Sequence, residues 1–470
     1  MRRILCVFLL FLTLLSLAAC GGAGSSEFRY SIPSYDRSEI EAATGNFWRI
    51  LTEGAVATLE LRNVLGKDIV FDESIDSGVC IFDDRTKTLI PLCFDAICEH
   101  NDLECFSQKL IFGHIIPYVT VIDDAVTTTD CDNNTFTVKY YGFSGNVIRD
   151  IEFELSALKL PDGESAEVYS HGFVSRARYG ITVYLDFMNY NDETLIELQN
   201  APEGEDILFY HWVVSWDLKT GEIEPVAGFE VPDPYVKWVI FTECNEDRLV
   251  CTYGGVNGYI VDLSSGSVEV LDFSSVIDRL VASGAMPEGS RPSGYNLKRD
   301  LFGASYIDDN YSRVRKYFDA DTFEEYVPTE TELLELTRES TVFIESEEYY
   351  FKYVGLEDCQ FELVNSKTGE KTEVNYGADD FDLGLSENGT KERYLQFAFE
   401  SEKGLVYTVK TRVMDGTGIW GENCETRIVN GEEVTFLLYD ELIYWDKSDM
   451  LDGTIDEPWY YQPETGTFVQ

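Results

Sequence analysis

Short runs of β-branched and aromatic residues, separated by turn-forming residues, dominate the chain from residue 47 onward. The segments 180–187 and 248–253 are examples, each bounded by Gly, Asn or Asp. Such runs are typical of β-strands. Two segments, 273–282 and 329–338, instead place apolar residues at helical spacing. The pattern predicts an all-β chain with two short inserted helices.

A hairpin motif recurs along the chain: a strand, an Asp or Asn, two or three polar residues, a Gly and a second strand. The Asp or Asn side chain bonds the turn backbone, and Gly accepts the positive φ that reverses the chain. Clear copies lie at 216–222, 261–268, 364–370 and 461–467, looser copies at 82–87 and 318–323, and weak ones at 144–145 and 430–431.

The spacing of these motifs predicts a repeat fold. The positions equivalent to the Gly are Lys87, Gly145, Gly221, Gly266, Thr322, Gly369, Gly431 and Gly466. Their mean spacing is about 54 residues, against about 40–50 for a four-stranded propeller blade, and the longer gaps leave room for insertions. We therefore expect a single β-propeller of seven or eight blades over residues 45–470, with both ends of that domain in one blade. The alternative is two β-sandwiches joined by similar turns.

The N-terminal segment has the pattern of an export signal. Two arginines precede an apolar run at 4–17, and Leu-Ala-Ala-Cys follows, ending at Cys20, before a Gly/Ser-rich stretch. This succession resembles the lipobox of bacterial lipoproteins. The resemblance implies that residues 1–19 are a cleaved signal peptide and that Cys20 carries acyl chains such as palmitate. Residues 20–44 would then tether a domain on the extracytoplasmic face of the cell membrane.

Composition narrows the function classes. The chain of 470 residues has 85 Asp and Glu against 36 Lys and Arg, a net charge of −49, so nucleic acid is excluded as a partner. Its 28 Tyr, 29 Phe and 7 Trp exclude a disordered chain. We expect any partner in solution to be neutral or cationic.

Four residues form the most distinctive motif, C-x4-C-x-H-x4-C, at Cys93, Cys98, His100 and Cys105. Three thiolates and one imidazole are a plausible tetrahedral zinc set, whereas an exported protein favours disulfides and a reducing niche would leave thiols. All three readings stay open. An extended chain of this length would span about 40 Å, so a loop must fold back for the residues to cluster, beside the first blade.

The hairpin at 82–87 runs directly into this Cys/His segment, and the combination resembles uncharacterised β-propeller-like lipoproteins of low-GC Gram-positive bacteria. The chain departs from that family at Ala96, where we expect Pro. The resemblance implies a propeller tethered to the cell surface and implies no activity.

Sequence motifs of common enzymes are missing: there is no G-x-S-x-G, no H-E-x-x-H, no phosphate loop and no dinucleotide fingerprint. The isolated His114, His171 and His211 are expected to be structural. We predict a non-catalytic binding module for a glycan, peptide or partner protein, with no binding residue assigned. The alternative is a carbohydrate-active hydrolase that uses two carboxylates of a central channel.

Overall fold

The computed structural model describes residues 48–51, 54–60, 77–93, 98, 105, 107, 120–122, 125–132, 134–142, 146–165, 168, 175–189, 207–233, 239–253, 257–308, 313–329, 332–333, 336, 340–344, 347–353, 361–376, 384–385, 391–414, 424–429, 432–455 and 458–470. The predicted signal peptide, Cys20, the tether and His100 lie outside these residues. No helix among the described residues is long and apolar enough to cross a membrane.

The strands fall into seven consecutive groups, which we call modules; modules 1 to 3 each contain four antiparallel strands, and those of module 1 belong to a larger, 11-stranded sheet. In each module the strands pair in chain order. Their bounds are β1 (Trp48–Leu51), β2 (Gly54–Glu60), β3 (Ser77–Asp83) and β4 (Thr88–Pro91) in module 1; β5 (Thr120–Ile122), β6 (Ala125–Asp132), β7 (Thr135–Gly142) and β8 (Val147–Glu154) in module 2; and β9 (Ser175–Tyr179), β10 (Thr182–Met188), β11 (Ile207–Asp217) and β12 (Ile223–Asp233) in module 3.

Modules 4 and 5 are also four-stranded sheets paired in chain order, module 6 has a fifth strand, and module 7 is part of an 11-stranded sheet. Their elements are β13 (Val239–Cys244), β14 (Arg248–Tyr253), β15 (Asn257–Asp262), β16 (Val268–Asp272) and helix α1 (Phe273–Ala282) in module 4; β17 (Arg291–Asn296), β18 (Leu301–Ile307), β19 (Arg313–Asp319) and β20 (Glu325–Tyr326) in module 5; β21 (Ser340–Ile344), β22 (Glu347–Tyr353), β23 (Phe361–Asn365) and β24 (Lys371–Tyr376) in module 6; and β25 (Gly384–Leu385), β26 (Lys391–Glu400), β27 (Gly404–Met414), β28 (Cys424–Val429), β29 (Glu432–Asp446), helix α2 (Lys447–Leu451), β30 (Thr454–Ile455), β31 (Trp459–Gln462) and β32 (Thr467–Val469) in module 7. Strand β30 pairs with β24 of module 6.

The last strand joins the last module to the first. Thr467 of β32 pairs with Thr88 of β4, so modules 7 and 1 share one sheet. The Phe468 N–H donates to the Lys87 carbonyl and the Leu89 N–H to the Gly466 carbonyl, both at 2.8 Å. The predicted all-β propeller is confirmed, and its seven modules form six sheets among the described residues.

Aromatic side chains fill the spaces between neighbouring sheets. Phe136 of module 2 meets Phe187 of module 3 at 5.3 Å between ring centroids. Phe229 of module 3 stacks on Tyr259 of module 4 at 4.9 Å. This packing of one sheet on the next explains why apolar runs, not alternating ones, mark many strands.

The predicted left-handed turn position is present at six turns, and at five of them an Asp or Asn side chain caps the turn as predicted. Asp217, for example, accepts hydrogen bonds from the N–H groups of Lys219 and Thr220, at 2.9 and 2.6 Å. Positive φ occurs at Lys87, Gly221, Gly266, Phe323, Gly369 and Gly466. The assignment of Thr322 is wrong by one residue, because the turn there, like the others, needs four residues from the capping Asp319 to the left-handed position. The turn residues at 144–145 and 430–431 lie outside the described residues, but the second of these joins β28 to β29 within module 7 and adds no blade.

Helix α1 begins and ends where the pattern at 273–282 predicts. Its first turn is capped by Asp272, whose carboxylate accepts the Ser275 N–H at 3.0 Å. In the second predicted segment, Thr329 and Glu332 exchange side chain–backbone hydrogen bonds as a capping box. Helix α2 was not predicted, since five residues are too few to show a helical period.

Candidate functional site

The structure brings together three of the four residues of the Cys/His motif. The Sγ atoms of Cys93, Cys98 and Cys105 all lie within 4.8 Å of one another. Cys105 is buried, and the other two side chains are partly exposed. His100 lies outside the described residues, so its position relative to the three sulfurs is not defined.

Both ends of the cysteine segment are bound to the same backbone group of module 1. The Leu92 N–H donates to the Val79 carbonyl at 2.7 Å, and the Ser107 hydroxyl donates to the same oxygen at 2.8 Å. The two ends of the segment therefore lie side by side, in keeping with the close approach of three sulfurs that span 12 positions of the sequence.

This group of thiols could hold a metal ion. Zinc–thiolate bonds of about 2.3 Å in a tetrahedral site place the sulfurs about 3.8 Å apart, a small contraction from the observed separation. A disulfide needs about 2.05 Å and uses two of the three sulfurs. Cys80 lies close by, and burial, together with the neighbouring Cys105, raises the pKa of its thiol well above the ordinary value.

Cys244 and Cys251, seven positions apart on the paired strands β13 and β14, do not form a disulfide. Both residues are free thiols. The register of module 4 sets Cys244 opposite Leu249 and Cys251 opposite Phe241, so the two cysteines are never cross-strand partners. Burial raises the pKa of the Cys244 thiol to about 12.

The one histidine of the three candidates that lies among the described residues is buried within module 3. His211 Nδ1 lies 3.0 Å from Asp186 Oδ1, with both side chains at 1% exposure or less. Its ring stacks on Phe229. Burial raises the pKa of Asp186, and His211 partly opposes that shift. No solvent reaches this pair, so its geometry fits the expected structural role.

Charged groups also gather where modules 7 and 1 meet. Lys447 is buried and pairs with the buried Glu400. Lys87 reaches Asp446 at 3.0 Å, and its ammonium lies 3.9 Å from the centroid of the Tyr444 ring. These pairs link secondary elements of the closing sheet.

A polar cavity that the sequence does not predict lies between modules 4 and 5. Its volume is about 260 Å³. It extends from the first strand of module 4, β13, to the first three strands of module 5. The lining residues are Thr242, Glu243, Ser293, Gly294, Tyr295, Asn296, Leu301, Gly303, Arg315, Tyr317 and Leu336.

Irregular strand pairing forms the cavity. In β13 the register skips at Thr242, and in β17 it skips at Ser293. Such β-bulges bend a strand and turn a side chain out of the regular alternation. Gly294 follows at φ 132°, with open space where a Cβ would stand, and a Cβ on Gly303 would meet Ser293 Oγ at 2.7 Å.

Several polar groups of the cavity are poised for a ligand. Ser293 Oγ and Tyr317 Oη are buried and have no hydrogen-bond partner in the described part of the chain. Tyr317 as a whole is 5% exposed. Glu243 accepts the Leu297 N–H through Oε2. A buried polar atom without a partner costs free energy, so these oxygens favour a molecule that supplies one.

No family model matches this chain. No curated protein matches it either. Solved structures that resemble it include the β-propeller domain of Cps50 from Myceliophteria thermophila, at 13% identity over 75% of this chain and 97% of that one, with a TM-score of 0.27. TolB from Acinetobacter baumannii is 10% identical over 93% of this chain and 88% of that one, with a TM-score of 0.23. A europium-containing methanol dehydrogenase is 10% identical over 80% of this chain and 76% of that one, with a TM-score of 0.30.

Proposed function

We propose that this protein is a non-catalytic binding module that holds a small polar molecule, or the end of a glycan or peptide, in the cavity between modules 4 and 5. The observation that carries the proposal is the convergence of Ser293 and Tyr317, whose buried oxygens have no partner among the described residues, on one cavity. A propeller is a rigid frame for such a site, because its strands are fixed on both faces by neighbouring sheets.

Binding is favoured over hydrolysis by the acidic groups of the cavity. Glycoside hydrolysis needs two carboxyl groups about 5–10 Å apart. Among the described residues that line the cavity, Glu243 is the one carboxylate, and it already accepts the Leu297 N–H. This composition supports recognition, and the carbohydrate-active hydrolase remains the alternative.

A ligand screen on a blocked cavity tests this function. We expect thermal shifts with some members of a panel of monosaccharides, short peptides and amino acids. Ser293→Leu, which places an apolar side chain in the cavity, should abolish those shifts. Ser274→Leu on the exposed face of helix α1 is the matched control and should preserve them. Turnover of a glycoside that is lost in Glu243→Gln would replace the binding module with the hydrolase.

The location we propose is the extracytoplasmic face of the cell membrane, with Cys20 lipidated and residues 20–44 as the tether. The supporting feature is the lipobox-like sequence. A net charge of −49 repels anionic headgroups, so a lipid anchor rather than surface charge would hold the protein at a membrane. Labelling with an alkyne fatty acid should mark the protein and not Cys20→Ala. A Cys20→Ala variant that is processed and membrane-bound as before would contradict the anchor.

We also infer that Cys93, Cys98 and Cys105 bind Zn²⁺, with His100 as the fourth ligand. The three sulfurs within 4.8 Å support the inference. Metal analysis should give about one Zn²⁺ per chain in the wild type and none in Cys98→Ser. Intact mass after alkylation in denaturant tests the alternative: two of the three cysteines protected without a reductant would show a disulfide instead.

A further inference from the structure

The cavity between modules 4 and 5 is lined by both signs of charge. Glu243 lies on β13 of module 4, and Arg315 lies on β19 of module 5. Arg315 is partly exposed, and no hydrogen bond or ion pair joins it to another described residue. In a chain with 85 acidic and 36 basic residues, an arginine without a carboxylate partner in a polar cavity is a specific feature of that cavity.

Three hydrogen-bond donors of module 5 line the cavity and can therefore bind one acceptor group of a ligand. The Arg315 guanidinium offers its N–H groups, and the Ser293 and Tyr317 hydroxyls have no partner among the described residues. A guanidinium and two hydroxyls are a typical set for a carboxylate, since all three can donate to its two oxygens.

The acidic side of the cavity can take a cation. Glu243 uses Oε2 for the Leu297 N–H. An ionised carboxylate has about four acceptor positions, so Glu243 can also accept an ammonium group. A ligand that carries one carboxylate and one ammonium group is neutral overall, so the net charge of −49 does not repel it over long range.

From these observations we propose that the cavity binds a free α-amino acid, with its carboxylate on Arg315, Ser293 and Tyr317 and its ammonium group on Glu243. The proposal rests on the proposed binding function and names its ligand. A volume of about 260 Å³ is just below the roughly 300–1,000 Å³ of sites for drug-sized molecules, which suits one monomer. Leu301 and Leu336 also line the cavity and favour an apolar side chain on the ligand.

Calorimetry with matched compounds tests the ligand class. We expect wild-type protein to bind leucine or valine and to bind leucinamide, which lacks the carboxylate, and N-acetylleucine, which lacks the ammonium group, at least about tenfold more weakly. Because a hydrogen bond to a charged group contributes about 1.5–3 kcal/mol, Arg315→Gln should weaken leucine binding about 10- to 100-fold. Arg313→Gln removes the same charge from an exposed position of the same strand and should change affinity less than about twofold.

A second variant separates ligand recognition from folding. Tyr317→Phe removes the hydroxyl that has no partner in the described structure, so the free protein should melt at the same temperature or higher while leucine binding weakens. If a neutral sugar or an acetylated, amidated peptide binds and Arg315→Gln does not alter its affinity, the amino acid assignment is wrong and the binding module stands. If neither amino acids nor any compound of the wider panel binds the wild type, both proposals fail.

Discussion

Phe468 is the residue through which the closure of the propeller can be tested most directly. It lies in β32, the strand that joins module 7 to module 1, and is 2% exposed. Its ring centroid is 5.7 Å from Phe82, 5.9 Å from Tyr444 and 5.2 Å from Tyr461. One of these neighbours belongs to module 1 and two belong to module 7, so the ring packs both ends of the propeller together.

Replacing Phe468 by Ala should destabilise the whole domain. Truncating a buried Phe costs about 3–5 kcal/mol of unfolding free energy. With an unfolding entropy of about 2.1 cal/mol/K per residue, the domain at 45–470 gives about 0.9 kcal/mol/K, so the melting temperature should fall by about 3–6 °C. Val469→Ala changes the next residue of the same strand, which is 43% exposed, and should cost less than about 0.5 kcal/mol.

The assay is calorimetry of both variants beside the wild type, with urea unfolding followed by tryptophan fluorescence. We expect one transition, shifted as a unit in Phe468→Ala, because a closed ring transmits the loss to every module. Truncation after Pro463 should have a larger effect than the point substitution. A Phe468→Ala protein that melts within about 1 °C of wild type, or no further below it than Val469→Ala does, would refute closure through this strand.

Three further outcomes follow from buried groups. Lys447→Met leaves the Glu400 carboxylate buried without its ammonium, and urea titration should show a loss of about 3–5 kcal/mol; a loss below about 1 kcal/mol would contradict this. The pKa of Asp186 is raised by burial, so its contribution to stability is present at low pH and is lost as the pH rises above about 4. Relative to Asp186→Asn, the wild type should therefore lose stability as the pH rises above about 4, and a pH-independent difference would contradict the raised pKa. With its pKa raised to about 12, Cys244 should react slowly with iodoacetamide in the native protein, as mass spectrometry of digests would show; labelling as fast as in urea would contradict the raised pKa.

Features written in a few neighbouring residues are the ones that could be predicted from the sequence. The turn that starts at Asp262 and ends at Gly266 needs only a side-chain acceptor and a residue that tolerates positive φ. Both are present within five consecutive residues. The cluster of Cys93, Cys98 and Cys105 is another case, because its three thiols lie within 13 consecutive residues. Phe323 shows the limit of such reasoning: a non-glycine residue at φ 59° gives no compositional sign of the turn's last position.

The cavity could not be predicted, because it depends on strand register. Thr242 and Ser293 are 51 positions apart, and each is turned out of its sheet by a skip that exists only relative to the neighbouring strand. One feature of the sequence does point to the bulge in β17. Pro292, Ser293 and Gly294 lie within this strand, and Pro and Gly within a strand often mark a bulge. Nothing in the amino-acid sequence indicates that Arg315 lines the same cavity.

The pairing of β32 with β4 has a consequence for biosynthesis. Residue 88 leaves the ribosome 379 positions before its partner, residue 467, and at about 5–20 residues per second roughly 20–75 s separate them. Throughout that interval β4 has no neighbour on its outer side, and its N–H and C=O groups could pair with another nascent chain. The outer edge of β4 therefore stays open to pairing with another chain until the last strand arrives.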